Sequence, residues 1–363
     1  MKKKLLVLFF VFSVIELSAQ FPDSLTRVEG DTIWFDARSL TIEGKGWVDT
    51  DSTFDRLPLK AKEIIPERVW RLSKNSAGIT VSFSTNSKNI FVKWKNNNNM
   101  YALPNMPAIS VSGIDLYYRA SDNSWKYTGT GRPSPTFSSI AVFSAADEYP
   151  DKTDYLLYLP LYNGIAKMEI GILKGNEITP ANVFDNNLKP IVFYGTSITQ
   201  GGSASRPGLV HTALIQRQLN AKIVNLGFSG SGKMEIEMAQ LISEIDASLY
   251  VLDCLWNITD DLVKERTEHF IRFLRERKPD TPILLVEDSK YNYSSPSERG
   301  KILIGIFDKL QKEQMKEIYF LGAQNLLGKD WEGTIDGVHP NDLGFMRHTE
   351  EFLRIIKEIL KIN

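Results

Sequence analysis

Alternation of apolar and polar side chains dominates the first half of the chain. The stretch Ile79–Ser84 alternates strictly, which is typical of a strand with one buried face. Turn-forming residues such as Asn96–Asn99 and Asn163–Gly164 separate further predicted strands, at Ile90–Trp94, Ile109–Val111, Ile114–Tyr117, Tyr155–Leu159 and Met168–Ile172. Several short strands with turn signals between them predict an all-β sandwich over residues 21–185.

The pattern changes near residue 186, where short apolar runs begin to alternate with stretches of helical periodicity. The predicted strands are Ile191–Tyr194, Lys222–Leu226, Leu249–Asp253, Ile283–Glu287 and Ile318–Leu321. Helices are expected within Pro207–Leu219, Met234–Ile245, Leu262–Arg277, Pro296–Lys316 and Leu343–Leu360. This alternation predicts an α/β domain over residues 186–363, with a doubly wound parallel sheet and helices on both faces.

The first twenty residues have the pattern of a targeting segment. A basic start, Met1–Lys4, precedes the apolar run Leu5–Ile15, which is too short for a comfortable membrane span. Small residues at 18–19 offer a cleavage site. We therefore expect residues 1–20 to be a signal peptide and the mature protein to be exported, periplasmic or secreted, without membrane association. A retained membrane anchor is the alternative.

Composition narrows the range of functions. The chain has 363 residues, 42% of them hydrophobic, and a formal net charge of −1, which gives no indication of a nucleic-acid partner. Its single cysteine, Cys254, excludes an internal disulfide and a thiolate metal cluster. No His-x-His, His-Glu-x-x-His or Gly-x-Gly-x-x-Gly pattern occurs, so we expect no metal and no cofactor. The number of subunits stays open.

A serine follows the first strand of the α/β part. The run Ile191–Tyr194 leads into Gly195, Thr196 and Ser197, and a helix is expected further on. At the carboxyl end of a parallel strand, such a serine lies near backbone N–H groups and a helix N-terminus, which stabilise developing negative charge. The alternative is an ordinary strand–turn–helix corner with a capping serine.

A serine nucleophile needs a base, and the chain has four histidines. His211, His269 and His348 fall within predicted helices and are interpreted as surface or core residues. His339 stands in the loop between the last strand and the last helix, at the same sheet edge as the serine. Asp336, three residues earlier, is close enough to orient its imidazole. The alternative for this loop is an Asp-Gly turn that caps a helix.

Two further loops offer hydrogen-bond donors for an oxyanion. Gly230 follows the second strand and contributes a backbone N–H, whereas Asn257 follows the third and contributes a side-chain amide. A plain glycine turn and a helix N-cap are the alternative roles. Because these loops and those of the serine and histidine leave the carboxyl ends of the strands, all four are expected to meet in one crevice.

Together, the blocks Gly195–Gly201, Gly230, Asn257 and Asp336-x-x-His339 resemble the four sequence blocks of the SGNH (GDSL-type) hydrolases. They occur in family order over about residues 188–360. The first block has Gly-Thr-Ser instead of Gly-Asp-Ser, and the third has Asp-Cys-Leu-Trp-Asn instead of Gly-x-Asn-Asp. The resemblance implies a flavodoxin-like sheet and a Ser-Asp-His esterase, with oxyanion donors from the Ser197 and Gly230 N–H groups and the Asn257 side chain.

Further residues indicate the kind of N-terminal domain and the surroundings of the expected crevice. The segment Tyr158–Gly164 is similar to the jelly-roll-like accessory sandwich that precedes such hydrolase domains in exported bacterial members. Trp256, Tyr291 and Trp331 fall in loops around the expected crevice, where aromatic rings suit sugar faces; Tyr293 is near them. Because export places the protein where glycans are met, and because the family that it resembles includes many carbohydrate acetylesterases, we expect hydrolysis of short acyl esters, above all acetyl, on a small molecule or oligosaccharide. The alternative functions are a lipase or thioesterase of the same fold and an inactive glycan-binding protein. The alternative role of the aromatic residues is packing under their own loops.

Overall fold

Two antiparallel sheets form the first part of the computed structural model, which describes residues 25–135, 138–144, 152–185 and 187–362. The predicted signal peptide lies outside the described residues. The sheets have strand orders β1-β2-β10-β5-β8 and β11-β4-β9-β6-β7, with β3 paired to β4. Their strands are β1 (Thr26–Glu29), β2 (Thr32–Asp36), β3 (Thr41–Glu43), β4 (Thr80–Thr85), β5 (Asn89–Asn96), β6 (Ile114–Arg119), β7 (Trp125–Gly131), β8 (Ser138–Ser144), β9 (Thr153–Tyr158), β10 (Ile165–Leu173) and β11 (Ile178–Pro180).

The predicted β-sandwich is confirmed, because the two sheets bury a shared apolar core. Side chains that alternate along each strand meet between the sheets and are withdrawn from water. The first sheet contributes Phe35, Val92 and Ile170, and the second contributes Val81, Leu116 and Leu157.

One predicted strand of this domain is wrong. Ile109–Val111 belongs to α2 (Ala108–Val111), a single helical turn that follows α1 (Glu67–Ser73) in the chain. Pro107 precedes α2, and its fixed φ suits the entry to a helix. Val111 and the polar Ser110 are buried in the turn, whereas Ile109 is only partly buried. Three residues of apolar–polar alternation were too short a pattern to distinguish strand from helix.

The stretch Ile79–Ser84 forms a strand, but the expectation of one solvated face is wrong. Thr80 and Ser82 share their face of the sheet with Tyr158 and Leu156, and all four side chains are buried. This face packs against the C-terminal domain in an apolar cluster that contains Tyr117, Leu156, Tyr158, Ile198, Val210, Ala213 and Phe345. The second sheet is therefore covered on both faces.

The C-terminal domain has a five-stranded parallel sheet with the order β13-β12-β14-β15-β16. Its strands are β12 (Ile191–Gly195), β13 (Ile223–Gly227), β14 (Leu249–Asp253), β15 (Ile283–Val286) and β16 (Ile318–Leu321). In the order of the chain this is 2-1-3-4-5, the flavodoxin-like arrangement, as predicted. The order reverses beside β12, which opens a crevice at the carboxyl ends of the strands.

Helices cover both faces of the parallel sheet. Val192 and Tyr194 of β12 pack in one apolar cluster with α5, α6 and α7, whereas Ile191 and Phe193 pack in another with α4 and α8. None of the helices in the described part of the chain is long and apolar enough to cross a membrane. The helices are α3 (Ser197–Gln200), α4 (His211–Leu219), α5 (Ile236–Ile242), α6 (Asp260–Arg277), α7 (Glu298–Lys312) and α8 (Asp342–Leu360).

A buried ion pair joins the two domains. Arg206 Nη1 donates to Asp115 Oδ2 at 2.8 Å and to the Tyr117 hydroxyl oxygen at 2.6 Å. The Gly208 N–H donates to the same Asp115 oxygen at 2.8 Å, and the Thr130 hydroxyl donates to Oδ1 at 2.6 Å. Because Asp115 belongs to β6 and Arg206 follows α3, the sandwich holds the loop that comes after Ser197.

Candidate active site

Ser197 stands on a tight turn at the end of β12. Thr196 is the N-cap of α3, and its hydroxyl accepts from the Ile198 N–H at 3.3 Å. A side chain at Gly195 would overlap Thr199 Oγ1, so only glycine fits below this turn. Gly201 ends α3 with a positive φ of 112°. Thr196 therefore caps the helix, and Ser197 is free to present its hydroxyl at the sheet edge.

Ser197, His339 and Asp336 form a continuous chain of hydrogen bonds. Ser197 Oγ lies 2.9 Å from His339 Nε2, and His339 Nδ1 lies 2.7 Å from Asp336 Oδ2. With the Nδ1 proton directed to the carboxylate, Nε2 is left to accept the serine proton. The three residues come from the loops after β12 and β16, which the parallel sheet brings to one edge.

Asp336 is held by the backbone that follows it. Its Oδ1 accepts from the N–H groups of Val338 and His339, at 3.0 and 2.8 Å. Partial burial alone would raise the pKa of Asp336, but these bonds and the His339 side chain lower it below its ordinary value. The carboxyl group is therefore ionised at neutral pH and fixes the orientation of the imidazole.

The expected oxyanion donors lie on the neighbouring loops. Gly230 has a positive φ of 66°, and neither its N–H nor that of Ser197 has an acceptor among the described residues. Asn257 Nδ2 donates to Ser231 O at 2.7 Å, which leaves its second N–H available. The N-cap of α6 is Thr259, not Asn257, so the alternative role for this asparagine is excluded.

Comparison with protein families matches residues 188–357 to the GDSL-like Lipase/Acylhydrolase family and residues 32–178 to the N-terminus of the SGNH hydrolase-type esterases. The chain shares 35% identity and a TM-score of 0.85 with the crystal structure of a GDSL-like lipase from Bacteroides ovatus ATCC 8483, over 92% of this chain and 99% of that one. The chain belongs to the GDSL-like lipase/acylhydrolase family. The predicted family is thus confirmed.

More distant structures share the fold of this acylhydrolase. The salicylyl-acyltransferase SsfX3 from a tetracycline biosynthetic pathway has 16% identity and a TM-score of 0.68, with 92% of both chains covered. A family two carbohydrate esterase from Clostridium thermocellum, in complex with cellohexaose, has 13% identity and a TM-score of 0.56, over 78% of this chain and 93% of that one. The comparison with curated protein sequences found no match.

The N-terminal family model is named GxDLY, and Gly113–Tyr117 reads Gly-Ile-Asp-Leu-Tyr. The residue pattern predicts this stretch as a strand but gives no role to Asp115 and Tyr117, which bind Arg206. An acidic residue in an otherwise apolar strand was the signal that could have identified the pair.

The sandwich of the acylhydrolase also contacts Ser197, which the sequence did not predict. The Tyr162 hydroxyl donates to the backbone oxygen of Ser197 at 3.3 Å. Burial raises the pKa of Tyr162 to about 12, so the hydroxyl keeps its proton. Gln200 Nε2 donates to Leu161 O at 3.0 Å, and its Oε1 accepts from the Ser229 N–H at 2.9 Å. The segment at 161–162 therefore supports both the serine turn and the Gly230 loop.

Arg56 holds the end of β13 from the sandwich side. Its buried guanidinium donates to the backbone oxygens of Gly227 at 2.6 Å and Asn225 at 3.3 Å, and lies 4.7 Å from the Phe228 ring. Other nitrogens donate to backbone oxygens of the sandwich. Burial lowers the pKa of Arg56 to about 9. This arginine fixes the backbone that leads into the Gly230 loop.

Arg299 of α7 holds the loop that carries Asn257. It pairs with the buried Asp288 at 3.2 Å and donates to the backbone oxygens of Leu255, Trp256 and Ile258 at 3.1 to 3.4 Å. Its guanidinium lies 5.1 Å from the Trp256 ring. A groove of about 610 Å³ begins here, lined by Trp256, Asn257 and Arg299.

The predicted substrate-binding aromatics separate into two groups. Tyr291 and Trp331 meet edge to face, with ring centroids 6.1 Å apart, and Trp331 is 63% exposed. The Tyr291 ring lies close to Gly337, the residue that follows Asp336. Trp256 is half-buried under its loop, with Nε1 donating to Ser289 Oγ at 3.4 Å. Tyr293 donates a hydrogen bond to Glu287 and is partly buried, packed against the edge of an apolar core cluster.

The remaining histidines and the cysteine have structural environments. His211 and His348 are buried in an aromatic cluster with Phe345 and Phe352. His269 is exposed on α6, and Cys254 is buried at the end of β14. Within the described ranges, no group of histidine, cysteine, aspartate or glutamate side chains could hold a metal ion.

Proposed function

We propose that this acylhydrolase removes short acyl groups, above all acetyl, from carbohydrates, with Ser197 as nucleophile, His339 as base and Asp336 as the carboxylate that orients it. The observation that carries the proposal is the hydrogen-bond chain from Ser197 Oγ through His339 to Asp336, at 2.9 and 2.7 Å. It is the arrangement that serine hydrolases use to activate a hydroxyl group.

The reaction follows from this geometry. His339 Nε2 takes the serine proton as Oγ bonds to the ester carbon, and the carbonyl oxygen becomes an oxyanion. The N–H groups of Ser197 and Gly230 and the free amide N–H of Asn257 stabilise that charge. When the C–O bond to the sugar breaks, the sugar oxygen takes the proton from His339. Water then attacks the acyl-serine, with His339 again as base, and releases the acid.

A carbohydrate as the alcohol part of the ester is supported by the pair of the partly buried Tyr291 and the exposed Trp331. Two rings at right angles beside the catalytic loop offer apolar area to the C–H face of a sugar. The loops around the serine are rich in serine, glycine and asparagine and contain no long apolar run for a fatty chain. Export, expected from residues 1–20, would place the enzyme where glycans occur.

A chain-length series of aryl esters, measured beside acetylated oligosaccharides, tests the proposal. We expect the highest kcat/KM for acetyl esters and release of acetate from the oligosaccharides. Preference for acyl chains of about eight carbons or more, with no acetate released, would instead favour a lipase or thioesterase. Oligosaccharide binding without hydrolysis of any ester, and without labelling of Ser197 by a covalent serine probe, would favour an inactive glycan-binding protein.

A further inference from the structure

An arginine of the sandwich domain lies at the edge of the expected oxyanion site. Arg68, in the first turn of α1, reaches across the domain boundary, and its Nη2 donates to Ser229 O at 3.3 Å. The guanidinium lies over Gly230: a Cβ there would overlap Nη2 and stand 3.1 Å from Cζ. The positive φ at position 230 favours glycine, and a Cβ there would displace the end of this flexible arginine.

Arg68 differs from the other arginines that hold the site loops. Arg56 donates to four backbone oxygens, while Arg206 and Arg299 pair with the buried carboxylates Asp115 and Asp288. For Arg68, no carboxylate oxygen of the described chain lies within 4.0 Å, and neither Nε nor Nη1 has an acceptor there. Its side chain is exposed. The guanidinium thus has donors without an acceptor among the described residues, beside Gly230, an expected oxyanion donor.

We propose that Arg68 binds a carboxylate carried by the ester substrate, so that the preferred substrates are acidic. Guanidinium and carboxylate form paired, charge-assisted hydrogen bonds, which a neutral sugar hydroxyl does not match. The inference rests on the proposed function, since it concerns esters that react at Ser197. It adds a selecting residue that the sandwich, not the catalytic domain, supplies.

The strand order sets the position of this subsite. Gly230 follows β13 on one side of β12, whereas Tyr291 and Trp331 follow β15 and β16 on the other side. A substrate at Ser197 is therefore flanked by a cation on one side and by the aromatic pair on the other. The carboxylate belongs either to the alcohol, as in an acylated uronic acid, or to the acyl group, as in a half ester of a dicarboxylic acid.

Two pairs of esters separate these sources. The alcohol pair is 4-carboxyphenyl acetate with 4-carbamoylphenyl acetate, and the acyl pair is 4-nitrophenyl hemisuccinate with 4-nitrophenyl 4-oxopentanoate. The variant is Arg68→Gln, with Arg71→Gln as matched control, because Arg71 is exposed on the same helix and its side chain has no partner among the described residues. Each neutral ester also reports whether a variant is folded and active.

We expect Arg68→Gln to lower kcat/KM about tenfold for the charged ester of one pair, mainly through KM, and to leave both neutral esters within about twofold. Arg68→Lys should restore part of the loss, and Arg71→Gln should change nothing. An equal loss on charged and neutral esters would assign Arg68 to the oxyanion loop instead. No loss on either charged ester would also overturn the inference.

The proposed function fails in a different way, namely if the unmodified protein hydrolyses none of the four esters. Calorimetry still tests Arg68 in that case. The Ser197→Ala protein should bind 4-hydroxybenzoate or succinate, and Arg68→Gln in that background should abolish the binding. If neither carboxylate binds to the Ser197→Ala protein, or if Arg68→Gln leaves the affinity unchanged, the subsite does not exist.

Discussion

The hydroxyl of Tyr162 in the β-sandwich donates a hydrogen bond to the backbone oxygen of Ser197 in the α/β domain, at 3.3 Å. Asp115 and Arg206 reinforce the same boundary through a buried ion pair at 2.8 Å. Because the turn that carries Ser197 is held from both domains, it keeps its geometry only while they are docked.

Removal of the triad members tests the mechanism. Ser197→Ala should lose at least about 10³-fold in kcat while the protein stays folded, because no other group takes over the nucleophile's role. Asp336→Asn should lose less, since the Ser197–His339 pair and the oxyanion donors remain. Steady-state kinetics on an aryl acetate measure both. Near-unmodified activity in Ser197→Ala would reject the mechanism.

Tyr162→Phe tests the support of the serine turn. We expect kcat to fall about three- to tenfold at unchanged KM, because the turn loses a fixed contact, together with a stability loss of about 1 kcal/mol. Tyr158→Phe is the matched control, since this buried tyrosine of the same domain donates to Ala213 O at 3.3 Å, away from the serine. Tyr158→Phe should lower the free energy of unfolding by about as much as Tyr162→Phe does, but should leave kcat unchanged. Equal kcat values for the two variants would contradict a positioning role.

Trp331→Ala tests the aromatic pair. The side chain is 63% exposed, so its loss should hardly affect stability, and the backbone keeps its positive φ of 69° in either case. We expect KM for an acetylated oligosaccharide to rise about tenfold, while kinetics on a small aryl acetate stay unchanged. Trp331→Phe, which keeps a ring, should lose less. An oligosaccharide KM that is indifferent to both changes would remove this residue from the binding site.

His211→Phe tests the buried histidine cluster. Both ring nitrogens of His211 are buried and have no hydrogen-bond partner among the described residues, and burial holds its pKa well below the ordinary value. Above about pH 6.5 the histidine is neutral whether the chain is folded or not, so its contribution is constant. Below that pH only the unfolded chain takes up the proton, and stability falls by about 1.4 kcal/mol per pH unit.

Replacing His211 removes this pH-dependent loss of stability. The free energy of unfolding of His211→Phe, relative to that of the unmodified protein, should therefore increase by about 2 kcal/mol between pH 8 and pH 5. Urea unfolding at several pH values measures it, with pH 8 as the baseline for any change in packing. A gain that is the same at pH 8 and pH 5 would show that His211 is not held neutral in the fold.

Asp115→Asn tests the joint between the domains. The carboxylate is fully buried and pairs with Arg206, so its neutralisation leaves a half-buried guanidinium without a counter-charge. We expect a loss of about 3–5 kcal/mol in the free energy of unfolding. Asp122→Asn, at an exposed turn of the same sheet, is the control and should cost little. Equal denaturant midpoints for the two variants would contradict the importance of the pair.

Local sequence determined most of the α/β half. The apolar runs that become β12 to β16 are short and bounded by glycine, proline or polar residues, and alternation with helices implies a parallel sheet. The loops of Ser197, Gly230, Asn257 and His339 then share an edge, because parallel strands all end on the same side. The sandwich was predicted for the same local reasons, although Ile109–Val111 was too short a pattern to distinguish strand from turn.

Only the tertiary structure decided what the two domains do for each other. The solvated face expected for Ile79–Ser84 is covered, because the second sheet packs on the α/β domain. Tyr162 donates a hydrogen bond to a residue 35 positions away in the chain. The hydrogen bonds of Arg56 to the end of β13 span 169 and 171 positions, and that of Arg68 to Ser229 spans 161. The period of the apolar residues and the turn-forming residues describe neighbours in sequence. The contacts between the domains exist only once their two surfaces have docked. No local pattern encodes which side chains then meet.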